Sequence, residues 1–229
     1  MMQLPSLALQ RLLQLASPLL PVGAYSYSQG LEWAIEDKIV HDADSALRWI
    51  GDALRFSMGR FEAPVLWRML LAWRHNDANC VNDWNQRFCA ARETAESRSE
   101  TLQMGYSLTK LLEGLAHAAP EKLLQLQQIE PISFPTAFSF AAVAWQVPPG
   151  AALQGYLWSW AENQVSAAMK TVPLGQLAGQ KMLQRLATDI PDIALHAMQL
   201  HDHELSNFCP ALAIASSRHE TQYSRLFRS

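Results

Sequence analysis

Three histidines give the most obvious chemical opening in this sequence. His196, His201 and His203 form H-x4-H-x-H, with Asp202 and Glu204 beside them, which are residue types that ligate metals. On a continuous helix, however, positions 201 and 203 point about 200° apart, so they share no ion unless the helix ends between them. The expectation is a set of histidines near a helix end, with no dedicated nickel or zinc site. His41 with Asp42 and Asp44 is a sparser version of the same pattern. Cys80, Cys89 and Cys209 are odd in number and far apart, with no C-x-x-C pair, which suits free thiols in a reducing compartment, the cytoplasm. No Ser/His/Asp, Cys/His or paired-carboxylate set can be assembled. The reading is therefore a non-enzyme with no catalytic residues and no cofactor.

Three further stretches concentrate polar residues where the chain must turn. Ser17 to Ala34, "SPLLPVGAYSYSQGLEWA", carries Pro21, Gly23, Ser28, Gly30 and Glu32. It contains neither G-x-S-x-G nor G-x-x-x-x-G-K-[ST], so it reads as an ordered loop entering a helix. Ser26 or Ser28 is the expected cap, and Glu32 a capping or interface carboxylate. "ARETAESRSE", Ala91 to Glu100, places Arg92 four residues before Glu96, an ion pair along one helix face worth about 0.2–0.5 kcal/mol. That stretch is a solvated face or, through Arg92, Glu93 and Arg98, a surface for another protein. In "AAMKTVPLGQLAGQKML", Ala167 to Leu183, Lys170 closes a helix at its negative end and Pro173 starts the next.

The chain ends in "SSRHETQYSRLFRS", Ser216 to Ser229, with three arginines, one glutamate and the apolar set Tyr223, Leu226 and Phe227 in its last twelve residues. A segment left to water would carry fewer apolar groups. A turn or two of helix over "QYSRLFRS" would put Tyr223, Leu226 and Phe227 on one face, flanked by Arg225 and Arg228. That is an amphipathic element for docking to a partner.

The elements that must position these residues are helices. Apolar residues recur at i, i+3, i+4, i+7 in Leu9, Leu12, Leu13, Ala16; in Leu66, Met69, Leu70, Trp73; in Phe138, Ala141, Ala142, Trp145; and in Leu153, Tyr156, Leu157, Trp160. Asp42 or Asp44 can cap a helix through Leu47, Ile50 and Leu54, and Pro64, Pro149, Pro173 and Pro191 sit near helix starts. Sustained strand alternation and Asn-Gly or Asp-Gly turns are missing. The expected fold is all-α, a single compact bundle of about eight to ten helices. Breaks are expected near 18–27, 57–63, 75–81, 117–122, 130–136, 146–151, 171–173 and 206–217. None is long enough for a linker, so 1–229 reads as one domain with 216–229 as its docking tail.

Composition narrows the partners. Of 229 residues, 49% are apolar and only 17% charged, so more of the surface than usual is neutral, as in a protein that binds other proteins. A formal charge of −3 gives no field to draw nucleic acid or an anionic membrane. The leucine-rich start lacks a basic leader and is broken by Gln10, Arg11 and Gln14, so it reads as a helix and not as a signal. The uncharged run from Pro131 to Ala161 is split by "VPPG" and reads as a buried helical hairpin, not a membrane span.

"LLQLASPLLPVGAYSYSQGLEWAIE", "ARETAESR", "VSAAMKTVPLGQLAGQKML" and "RHETQYSRLFRS" together resemble, in order and spacing, the urease accessory protein UreF family. Ala24 and Tyr25 depart from the Gly-Phe that many members show after "PVG". The resemblance implies an all-helical, non-enzymatic adaptor that forms a homodimer, binds UreD (UreH in some organisms) and recruits the GTPase UreG to load nickel into the urease apoprotein. It assigns Arg218, His219, Glu220, Tyr223, Arg225, Leu226, Phe227 and Arg228 to the UreD/UreH contact. It makes Pro21, Gly23, Ser28, Gly30, Glu32, Arg92, Glu93 and Lys170 candidates for other contacts or for a polar passage. Two alternatives stay open: a regulator of UreG GTP hydrolysis, and a metallochaperone that itself carries nickel.

Overall fold

Helical periodicity is realised along the chain in a computed structural model that describes residues 6–115 and 120–229. The first five residues of the expected N-terminal helix lie outside the described residues, as does half of the break expected at 117–122, whose other half opens α7. The order is α1 (Ser6–Leu15), α2 (Leu31–Glu36), α3 (Ala43–Asp52), a π-helical stretch (Ala53–Glu62), α4 (Ala63–Arg74), α5 (Ala78–Ala90), α6 (Ala95–Leu115), α7 (Pro120–Gln127), α8 (Phe134–Ala144), α9 (Pro149–Thr171), α10 (Gln176–Gln199) and α11 (Pro210–His219). Because α3, the π stretch and α4 run on as one rod, the eleven α-helical segments make ten rods among the described residues. The fold is all-α, as the periodicity requires.

The core is built on helices that are apolar nearly all round, and such helices must be covered on every side. In α8 every residue from Pro135 to Ala142 is buried, and α4 buries Val65, Leu66, Met69, Leu70 and Trp73. α8 packs on α4 and α6, α9 packs on α10, and α4 touches α5, α8, α9 and α10. The expected hairpin over Pro131–Ala161 is thus two helices that find their main partners elsewhere. The buried apolar side chains form one cluster that runs from Leu15 to Phe227, so part of the C-terminal segment belongs to the core.

Local chemistry places the ends and corrects several expectations. Asp42 caps α3 by accepting from the Ser45 amide at 2.8 Å, with Ser45 Oγ returning to the Asp42 amide. The break expected at 57–63 is absent, because the rod stays helical by widening to π geometry, a form found at functional positions. Gly59 lies within it, where a Cβ would come 2.8 Å from Ile193 of α10. Pro191 lies inside α10 instead of at a start, with its neighbours Ile190, Ile193 and Ala194 packed into the core. α10 begins at Gln176, after Pro173, with Gly175 as its cap. In α1 the inward stripe is the buried Ala8 and Leu15 with the partly buried Leu12, and Leu9 and Leu13 are exposed, because α1 docks through Leu12 beside Gly155 of α9. The connector expected at 206–217 holds α11.

Candidate functional site

α11 lies across α2 at Gly30, which has φ 80° and where a Cβ would fall 2.7 Å from the Ser216 amide nitrogen. Only glycine meets both the left-handed backbone and the close crossing. Beyond α11 the chain does not become a helix. Residues 220–229 run as an irregular strap over α2 and the start of α6, so Tyr223, Leu226 and Phe227 do not share a helical face. Phe227 enters the core, whereas Tyr223 is fully exposed and Leu226 largely so.

Carboxylates hold the strap. Glu32 accepts from the Leu226 amide at 2.6 Å and the Phe227 amide at 2.9 Å. The fully buried His219 ring stands between two acids, with Nδ1 2.7 Å from Glu96 and Nε2 3.2 Å from Glu32. Arg225 donates to the other Glu96 oxygen. Glu220 accepts from the Glu96 amide in the first turn of α6, at 3.1 Å. Farther on, the Arg228 amide donates to the Ser26 carbonyl at 2.8 Å, and the Ser229 carbonyl oxygen collects the Ser28 amide, the Gln29 amide and the Ser28 hydroxyl. The Lys170 ammonium sits 5.6 Å from the Phe227 ring and 5.9 Å from the Tyr25 ring. Each is within cation–π range.

A cavity of about 120 Å³ opens beside the strap. Its polar wall is an ordered chain of groups. Arg92 donates to Glu62 at 3.1 Å and lies 4.2 Å over the Phe88 ring, while the Tyr156 hydroxyl donates to the second Glu62 oxygen. Burial, and then the Glu62 charge, hold the Tyr156 hydroxyl well above the ordinary phenol range. Next to this pair is Glu100, which accepts from the Gln29 side-chain amide (Nε2) at 2.6 Å and from the Ser229 hydroxyl at 2.8 Å. Burial pushes its carboxyl up to about 7. Gln29 is in turn fixed by the Trp160 indole N–H at 2.8 Å. Strap and cavity therefore share one carboxyl.

The structure brings together Ser28, Gly30, Glu32, Lys170, His219, Glu220, Arg225, Leu226, Phe227 and Arg228. Arg218 and Tyr223 face solvent, and Pro21 and Gly23 are exposed on the preceding loop. Glu93 is exposed at the cavity. The expected Arg92–Glu96 pair does not form: α6 starts at Ala95, so the two are not on one helix, and Arg92 turns to Glu62 while Glu96 turns to His219 and Arg225. Neither expected serine caps α2; Gly30 is its N-cap, although Ser28 Oγ accepts from the Glu32 amide at 3.3 Å. α10 ends at Gln199, so the argument from helical angles fails for His201 and His203, whose rings stack in parallel 5.6 Å apart. Among the described residues no three His, Cys, Asp or Glu side chains come together as a metal-binding group.

Sequence reasoning missed Glu62, Glu96, Glu100, Gln29, Tyr156 and Trp160 as parts of this constellation. Glu100 had a signal: it shares the buried face of α6 with Met104, Leu108 and Leu112, an acid on an otherwise apolar stripe.

Comparison with known proteins fits this geometry to a family. The UreF family model matches residues 40–187. The chain is 54% identical over 224 residues to the urease accessory protein UreF of Methylobacillus flagellatus, covering 98% of this chain and 99% of that one. It is 55% identical over 225 residues to the urease accessory protein UreF of Azoarcus sp., covering 97% and 96%. The protein of the same name from Cupriavidus taiwanensis is 50% identical over 222 residues, covering 95% and 96%. With likeness of this degree running through nearly all of both sequences, the chain belongs to the UreF family.

Proposed function

We propose that this chain performs its urease accessory role as a non-enzymatic adaptor, a single domain whose strap and its surroundings hold UreD/UreH. Through that pair it recruits the GTPase UreG for nickel insertion into the urease apoprotein. The observation that carries the reading is the two-sided strap. Phe227 and His219 face inward, and Tyr223 and Leu226 face water beside the exposed Arg218, Arg225 and Arg228. Aromatic and aliphatic anchors rimmed by arginine are what protein interfaces concentrate. Exposed Leu19, Phe208 and Ile214 support further contacts, including a homodimer. Three free cysteines suit a reducing compartment, the cytoplasm, and no described helix is long and apolar enough to cross a membrane.

The test is co-purification with UreD/UreH of a chain carrying Tyr223→Ala and Leu226→Ala. Retention should fall at least about tenfold, because truncating buried interface anchors typically costs more than ~1 kcal/mol each. Thermal unfolding of the free protein should not change. Undiminished retention would remove the strap from the interface.

A further inference from the structure

The mouth of the cavity is apolar and uncovered. Leu19 is 90% exposed, Phe208 80% and Ile214 56%. Each adjoins in the chain a residue that lines the cavity: Leu20 for the first, Asn207 and Cys209 for the second, Ala213 for the third. Scattered singly, such groups are ordinary; gathered around one opening, they mark a contact site. At the ~10–15 Å³ that one water takes, the space behind them has room for on the order of ten waters, or for one large side chain. The flanks of the mouth are acidic. Burial holds the Cys209 thiol above its ordinary range, the Leu212 amide draws it down, and the charges of Asp52 and Glu93 push it up, so both acids lie within reach of it. Both are exposed, and among the described residues neither forms an ion pair; Arg92, next to Glu93 in the chain, is paired with Glu62.

We infer that this mouth is a second half of the partner interface: it takes one large apolar side chain of the protein that the strap holds, with lysine or arginine beside that anchor to meet Asp52 and Glu93. The inference rests on the adaptor reading and adds to it what the partner must present. α11 has ten residues, a length of about 15 Å, so the mouth at its start and the strap beyond its end fit beneath one partner face of ordinary size. An anchor that displaces water from an apolar cleft, inside a polar rim, is the arrangement that concentrates binding energy. The two acids supply what the apolar groups lack, a choice between partners, because a like charge brought to that rim is repelled.

Co-purification of the full chain with UreD/UreH tests it, in variants that leave the strap untouched. Phe208→Ala with Ile214→Ala removes exposed side chains only, so the thermal midpoint should hold while retention falls at least about tenfold. Asp52→Lys with Glu93→Lys should lower retention by a similar factor at ~0.05 M salt and by much less at ~0.5 M, since rim charges are screened. Ala213→Trp, which fills the cavity from α11, should do the same at either salt concentration. Should that variant fail to fold, alkylation of Cys209 in the unaltered chain replaces it: UreD/UreH should slow the reaction at least about tenfold relative to Cys80, and an unchanged ratio counts against the proposal. If these variants all keep the partner while Tyr223→Ala with Leu226→Ala loses it, the mouth lies outside the interface and the strap reading stands alone. If none of them loses it, both readings fall. A Phe208→Ala, Ile214→Ala chain that keeps UreD/UreH but passes from dimer to monomer gives the mouth to a second copy and also overturns the inference.

Discussion

The α4–α8–α9 centre and the inward side of the strap, Phe227 and Ser229, are both buried, but for opposite physical reasons. In the centre, Phe138, Leu66, Leu153 and their neighbours are held by removal of apolar surface from water, which has no direction and no single point of failure. In the strap, one apolar anchor, Phe227, is joined by hydrogen bonds to Glu32, Glu96 and Glu100. Removing one acceptor there leaves several donors unpaired at once. The centre therefore resists small changes in conditions, and the strap responds to them.

The comparison breaks first if the centre proves soft. Phe138→Ala deletes a ring packed edge-on against Tyr156 at 4.9 Å between centroids, and should cost about 3–5 kcal/mol in chemical unfolding. A loss below ~1 kcal/mol would mean that the core is loosely packed. The next effect is one of pH. Glu100 has a higher pKa in the fold, about 7, than its ordinary value of 4.5. Its contribution is therefore complete below pH ~4.5 and is lost as pH rises toward ~7, a decline of order 3 kcal/mol at most. Denaturant midpoints measured across that range should show Glu100→Gln falling less than the unaltered chain. A steeper fall would contradict the sign.

Glu32→Ala sharpens the contrast. It strips the Leu226 and Phe227 amides of their acceptor and leaves the buried His219 with Glu96 alone. Unmet buried donors cost about 1–3 kcal/mol, so strap amides should exchange at least roughly tenfold faster while α8 amides keep their protection. Loss of protection in α8 as well would make strap and centre one cooperative unit. The smallest effect is that of Tyr223→Ala, which removes a side chain exposed to solvent and should shift stability by less than ~0.5 kcal/mol. A larger loss would show that the ring packs on the fold in solution.

Much of the centre was legible because periodicity reports burial directly. The Leu66–Trp73 and Phe138–Trp145 stripes lie on buried faces, and the Asp42 cap and the Lys170 helix end fall as their local chemistry requires. The strap was legible only as residue types. "QYSRLFRS" has the spacing of an amphipathic helix, yet two backbone amides pair with Glu32, almost two hundred positions away, and not within a helix. A local rule does not see that competitor. The same blindness produced the Arg92–Glu96 pair, which is plausible on a helix face until Glu62 and His219 offer each partner something closer.

Composition and periodicity by themselves settled that the chain is helical, which faces of its central helices are greasy, and that Asp42 and Pro149 start helices, because these follow from interactions within a few residues. Only the tertiary structure decided that the π stretch, the α6 start and the final residues meet, and so which acids lose water and which bases they hold. That selection depends on contacts across 30 to almost 200 positions, whose free energies exist only once the core has brought them together.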